Sequence, residues 1–110
     1  RVLLNLCQNA FYAVQQRAAQ TGEGYQPTVW VSTQRHDDLI YIRVEDNGPG
    51  MAEAVRSKIF QPFFTTKPAG EGTGLGLSLS YDIITKGHGG TLTVESREGE
   101  GAVFIMRLPV

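Results

Sequence analysis

Residues 39–51 read Leu39-Ile40-Tyr41-Ile42-Arg43-Val44-Glu45-Asp46-Asn47-Gly48-Pro49-Gly50-Met51. The β-branched and aromatic run from Leu39 to Asp46 predicts a strand. Ile40, Ile42 and Val44 share one phase of its alternation, and Asp46 shares it too. An acid in phase with three core residues points inward at the strand end. A buried carboxylate is costly unless something pairs with it. Gly48 and Gly50 follow at once and let backbone approach whatever fills the space. Two readings stand at this point. Asp46 accepts a hydrogen bond from a ligand amine, such as the exocyclic amine of adenine, or Asp46 to Gly50 is simply a turn rich in turn formers.

On the N-terminal side, Thr28 to Gln34 predicts a second strand, joined to the first by a turn at Arg35-His36-Asp37-Asp38. Before it, Thr21 to Pro27 is a loop. Leu3, Leu6, Cys7, Ala10 and Val14 recur at helical spacing and predict a helix over Val2 to Ala19. That register is already running at Leu3 with no capping residue before it, so the chain is expected to start inside or just before a helix. On the C-terminal side, Ala52 to Ile59 predicts a short helix and Phe60 to Gly74 an irregular, glycine-rich loop. Leu75 to Lys86 predicts a helix with Leu75, Leu79 and Ile83 along one face and Tyr81 and Ile84 near it. Gly90 to Ser96 and Ala102 to Leu108 predict two strands joined by a turn at Arg97 to Gly101. Hairpin-connected strands with helices gathered elsewhere imply an α+β two-layer sandwich.

Composition narrows the function classes. A chain of 110 residues and 12.0 kDa is one domain by length, and 41% hydrophobic residues provide a core. A net charge of -1 argues against a nucleic-acid partner. No apolar run approaches the roughly 18 residues of a membrane span, so no membrane contact is expected of this segment. The single cysteine, Cys7, excludes an internal disulfide and a cysteine-based zinc cluster, and fits a reducing compartment. Glycine is over-represented, with 13 residues, and the excess is clustered.

Three further stretches carry chemistry. Asn5 and Asn9, spaced i, i+4, place two carboxamides on one helical face. They suit magnesium, a hard cation that takes its other ligands from waters and phosphates, or they are solvated amides. Gly70-Glu71-Gly72-Thr73-Gly74-Leu75-Gly76 runs into a helix start. It reads as a phosphate cradle or as a flexible linker. It is neither a Walker loop nor a dinucleotide fingerprint. Phe60-Gln61-Pro62-Phe63-Phe64-Thr65-Thr66-Lys67 supplies aromatic rings for the core or for a closing lid. Lys67 brings a point charge to a phosphate or stays solvated.

In this order the segments resemble the ATP-binding domain of sensor histidine kinases across essentially the whole chain. Asn5-Leu6-Cys7-Gln8-Asn9-Ala10 resembles the N box and Asp46-Asn47-Gly48-Pro49-Gly50-Met51 the G1 box. Phe60 to Lys67 resembles the F box, and Gly72-Thr73-Gly74-Leu75-Gly76-Leu77 the G2 box. The wider superfamily includes type II topoisomerases, heat-shock chaperones and mismatch-repair ATPases. The resemblance implies a Bergerat-type α/β sandwich, with an antiparallel or mixed sheet covered on one face by helices and a flexible glycine-rich ATP lid. The family's domain carries a further strand and helix before the N box. The expectation is therefore a single ATP-binding domain over residues 1–110, truncated before the N box, with an exposed apolar patch.

The same resemblance implies residue roles. Asn9 binds Mg2+, Asp46 bonds the adenine amine directly and through water, and Gly48 and Gly50 border the adenine pocket. Gly72, Thr73, Gly74, Leu75, Gly76 and Leu77 hold the phosphates, with Asn5, Tyr12 and Lys67 as further candidates. Asn5 and Lys67 stand at positions expected to take part in transfer. Tyr12 departs from the pattern, because many members carry a basic residue there. The implied activity is binding of Mg-ATP and transfer of its γ-phosphate to a histidine on a separate helical phosphoacceptor and dimerisation domain, with a response regulator downstream and a cytoplasmic location. The alternative is a nucleotide-binding regulatory module without transfer. His36 falls in the expected hairpin and His88 in a loop, so neither is expected to be the acceptor. Asn5 stands where hydrolytic relatives place a glutamate base. An amide cannot act as that base, so intrinsic hydrolysis is expected to be slow.

Overall fold

The computed structural model describes residues 2–21, 24–62, 64 and 76–109. Helix α1 spans Val2–Thr21, rich in the good helix formers alanine, leucine and glutamine. Val2, Leu6, Ala10 and Val14 form its buried stripe, one residue per turn. Leu3, expected in that stripe, is exposed, and Cys7 is half-buried at its margin.

Strands β1 (Val29–His36) and β2 (Leu39–Asp46) form an antiparallel hairpin in which His36 faces Leu39. Arg35 and His36 were expected in the turn but extend β1, and the turn closes on Asp37 and Asp38 alone. Asp37 makes this possible with a φ of 52°, a region aspartate enters more readily than most side chains.

The expected helix over Ala52 to Ile59 shortens to α2 (Glu53–Arg56), with turns after it. Helix α3 (Gly76–Asp82) continues into a π-helical turn, Ile83–Gly87. Strands β3 (Thr91–Ser96) and β4 (Ala102–Pro109) complete the sheet. Its order is β1-β2-β4-β3, and every pairing among the described residues is antiparallel.

Register sets the core in rows across β2, β4 and β3. Ile42, Met106 and Leu92 share one row, and Val44, Phe104 and Val94 the next. Asp46, Ala102 and Ser96 make the last row, so the acid closes a sheet face that is otherwise apolar. Helix α1 packs over these rows through its buried stripe. Phe60 adds its ring from the segment after α2, with centroids 5.1 Å from Tyr81 and 6.3 Å from Phe104. Of the two readings of the phenylalanine cluster, Phe60 is therefore core.

One sequence expectation is corrected here. Leu79 and Ile83 do not line the inner face of α3, being 54% and 37% exposed. The inward stripe is Leu77, Ser80 and Ile84, at i, i+3 and i+7. Ser80, fully buried, receives a hydrogen bond from Asn5, and its small side chain lets α3 approach α1. Hydrophobicity alone points to the leucine one position away.

Candidate functional site

Asp46 ends β2 with only 4% of its surface exposed. Burial pushes its carboxyl above the ordinary aspartate value. The backbone N–H groups of Gly48 and Ala102 oppose that rise, and the charge of Glu45 adds to it. The Gly48 amide donates to Asp46 Oδ1 at 2.9 Å. Of the two sequence readings of this stretch, the turn is what the structure shows: the segment folds back on the acid through the Gly48 amide. A Cβ at Gly48 would sit 2.9 Å from both Ala13 Cβ and Asp46 Oδ1, so helix and loop are in contact there. Gly50 has a φ of 71°, and a Cβ would overlap the Arg97 carbonyl oxygen. Only glycine meets both demands.

The loop after Asp46 is held from three sides. Asn47 Oδ1 accepts from the Thr28 amide at 2.9 Å, while Asn47 Nδ2 donates to the Gln26 carbonyl at 2.8 Å. The Tyr25 hydroxyl lies 3.0 Å from both the carbonyl and Oδ1 of Asn47. From the β3–β4 turn, the Gly99 amide donates to the Pro49 carbonyl at 2.6 Å. The Met51 amide donates to Ser96 Oγ, which donates in turn to the Gly101 carbonyl at 2.7 Å. From α1, Arg17 Nη1 lies 3.1, 2.9 and 3.0 Å from the carbonyl oxygens of Asn47, Gly48 and Gly99.

The polar face of α1 forms a second wall. Asn5, Asn9, Ala13 and Arg17 are spaced i, i+4 and form one stripe beside the buried one. Asn5 Nδ2 donates to Ser80 Oγ at 3.2 Å and tethers α3. Asn9 Nδ2 donates to the Asn5 carbonyl at 2.9 Å, a bond that leaves Oδ1 as the acceptor end of the amide. Ala13 meets Gly48 and Arg17 meets the loop carbonyls, so one helical edge runs from α3 to the Asp46 loop. Tyr12 lies beside this stripe, its hydroxyl accepting from Gln16 Nε2 at 3.0 Å.

Asn5 and Asn9 thus share one helical edge with Ala13 and Arg17, which meet the loop that carries Gly48 and Gly50 after Asp46. Gly76 opens α3 in free space, and Leu77 turns inward to pack on the core. Lys67, Gly72, Thr73, Gly74 and Leu75 lie outside the described residues. His36 and His88 are both exposed, His36 at the end of β1 beside Tyr41 and His88 after the π-helical turn. Sequence reasoning missed Arg17, Tyr25 and Ser96. The i, i+4 stripe that singled out Asn5 and Asn9, carried two steps further, reaches Arg17. Tyr25 and Ser96 left no such signal. Among the described residues no group of three or more His, Cys, Asp or Glu gathers as a metal site, and no helix is long and apolar enough to cross a membrane.

The family model for histidine kinase-, DNA gyrase B-, and HSP90-like ATPases matches residues 1–110. The sensor histidine kinase ZraS of Salmonella typhi is 43% identical over 111 residues, covering 100% of this chain and 21% of that protein. The two-component sensor PprA of Pseudomonas aeruginosa is 47% identical over 76 residues, covering 69% of this chain and 8% of that protein. The chain therefore spans about a fifth or less of the length of these curated relatives. The solved catalytic domain of histidine kinase ThkA superposes with a TM-score of 0.77 at 38% identity, over 98% of this chain and 64% of that one. ThkA in complex with the response regulator protein TrrA gives 0.73 at 35% identity, over 98% and 27%. Full-length ShkA in complex with AMPPNP gives 0.77 at 28% identity, over 98% and 20%. The family model matches the chain over all of residues 1–110 and the fold superposes on solved histidine kinase catalytic domains, so the chain belongs to the histidine kinase-, DNA gyrase B-, and HSP90-like ATPases.

Proposed function

We propose that this chain is a single ATP-binding, catalytic domain of a protein histidine kinase, binding Mg-ATP and presenting the γ-phosphate to a histidine on a separate helical phosphoacceptor and dimerisation domain. The observation that carries this reading is Asp46, an acid buried at the end of an apolar sheet face, with a glycine loop folded onto one of its oxygens. A carboxylate has more acceptor sites than two backbone amides fill, and the exocyclic amine of adenine is a donor for such a site. The base is bordered by Gly48 and Gly50, where side chains have no room.

The residues fit magnesium through an amide rather than a carboxylate cluster. Asn9 keeps Oδ1 as a hard oxygen donor while its Nδ2 is tied to the Asn5 carbonyl, which orients the group. Magnesium bound there would supply charge neutralisation at the phosphates. Gly72, Thr73, Gly74, Leu75, Gly76, Leu77 and Lys67 are carried over by motif as the phosphate side of the site. Asn5 holds α3 beside that side through Ser80. It offers no base for water, which favours transfer to an acceptor over hydrolysis. The acceptor domain, a response regulator downstream and a cytoplasmic location complete the reading, supported by the sensor kinases among its relatives.

Calorimetric titration with Mg-ADP and a non-hydrolysable ATP analogue tests binding. Phosphohistidine formation on a cognate helical domain supplied in trans tests transfer. We expect both, together with slow release of phosphate in the absence of the acceptor. Rapid multiple-turnover hydrolysis by the domain alone would argue for an ATPase instead. A folded protein that ignores both nucleotides would end the nucleotide reading.

A further inference from the structure

Arg17 lies two turns beyond Asn9 on the same edge of α1, a separation of about 12 Å along the axis at the usual helical rise. Its Nη1 reaches three carbonyl oxygens, two in the loop after Asp46 and one in the β3–β4 turn. The guanidinium also lies 5.2 Å from the centroid of the Tyr25 ring, and the Tyr25 hydroxyl sits on Asn47. The group is therefore oriented by an aromatic face while it gathers two segments distant in sequence. Gly48 is held at both ends of its backbone, with its amide on Asp46 and its carbonyl on Arg17.

We infer that Arg17 is a positioning residue for base recognition. It holds the peptide at Gly48 so that the Asp46 carboxylate is presented at a set distance from the Asn9 end of the helix. This rests on the nucleotide reading above and assigns to Arg17 the link between the base end and the phosphate end of the site. Lysine is expected to replace arginine here only in part. An ammonium could meet the carbonyls that converge on Nη1, but it lacks the planar face that lies over Tyr25.

The test compares wild type, Arg17→Ala and Arg17→Lys for binding of Mg-ADP and Mg-IDP, the latter carrying a carbonyl where adenine has its amine. Thermal melts are recorded alongside. Wild type should favour ADP. In Arg17→Ala the preference for ADP over IDP should fall at least tenfold, chiefly through weaker ADP binding, with IDP affinity changed less than threefold. Arg17→Lys should fall between the two. A variant that melts earlier yet keeps the wild-type ADP-to-IDP ratio would reduce Arg17 to a structural tie and overturn the inference. If Arg17→Ala does not fold, Arg17→Lys decides by the same ratio. A wild type that binds neither nucleotide would remove the nucleotide reading itself, and this inference with it.

Discussion

Gly48 donates its amide hydrogen to the Asp46 carboxylate at 2.9 Å, so the loop that follows the acid is also its hydrogen-bond partner. Asp46→Asn keeps an oxygen for that amide and removes the charge. The protein should therefore stay folded, with a melting temperature equal to or above wild type, because an ionised carboxylate in this position is disfavoured by burial. Adenine nucleotide affinity should fall roughly 10- to 100-fold, the worth of a hydrogen bond to a charged group at about 1.5–3 kcal/mol. Calorimetry and thermal melts on the same samples check both halves. A variant that binds as tightly as wild type would take Asp46 out of the site.

Acidification should weaken nucleotide binding through the same group. The raised pKa means that Asp46 protonates at a higher pH than the ordinary value of 3.8, and a protonated carboxyl accepts the amine less well. The effect on stability has the opposite sign. The folded state holds this proton more tightly than the unfolded chain, so the contribution of Asp46 to stability improves as pH falls through its folded pKa and is lost again as pH rises. Titrations from neutral pH downward should show an affinity loss in wild type that Asp46→Asn lacks.

Gly99 and Gly101 share a φ of 80° but differ in surroundings. A Cβ at Gly99 meets nothing, whereas one at Gly101 would overlap the carbonyl oxygen of Asp46. Gly99→Ala should cost about 1–2 kcal/mol, the backbone cost of a left-handed alanine. Gly101→Ala should cost more and should also weaken nucleotide binding by moving Asp46. Denaturant unfolding of the two variants side by side measures the difference, and equal losses would contradict this account.

Ser80 has no exposed surface and accepts from Asn5, so Ser80→Ala leaves a part-buried amide donor without that partner. A loss of about 1–3 kcal/mol is expected. Removing both partners together, Asn5→Leu with Ser80→Ala, should cost less than the sum of the single changes. A double-mutant cycle reads the coupling.

The inner face of α3 gives a further contrast. Leu79→Ser should change stability by less than about 0.5 kcal/mol, as an exposed site does. Ile84→Ala should cost about 2–5 kcal/mol, as a core truncation does. Reversal of the two values in a denaturant titration would restore the face read from hydrophobicity.

Much of the architecture was legible because it is written in period and phase. The alternation through Ile40, Ile42 and Val44 placed Asp46 inward, and the structure buries it in the row of Ala102 and Ser96. The α1 register placed Leu6, Ala10 and Val14 correctly. The α3 face was misread because its buried positions, Ser78 and Ser80, are serines, the second bonded to Asn5, which a hydrophobic pattern cannot register. A π-helical turn then follows at Ile83, where a fixed helical period fails. At the site, the glycines and the acid stood out by spacing. Of the partners that clamp them, Arg17 continues the i, i+4 stripe of Asn5 and Asn9, whereas Tyr25 and Ser96 act across long sequence separations and leave no local pattern.

The hairpin of β3 and β4 has a consequence for synthesis. The Asn5–Asn9 stripe, the Asp46 loop and the glycine-rich stretch before α3 leave the ribosome before β4 does, yet the Asp46 loop closes on the strand beside β2 and on the turn that bonds Pro49 and Arg17. A nascent chain ending at Ser96 carries all three but no Gly99 or Gly101 for its Asp46 loop to close upon. Such a chain should not retain nucleotide, and capture should begin only once β4 has emerged, so that the site remains empty until this hairpin can fold.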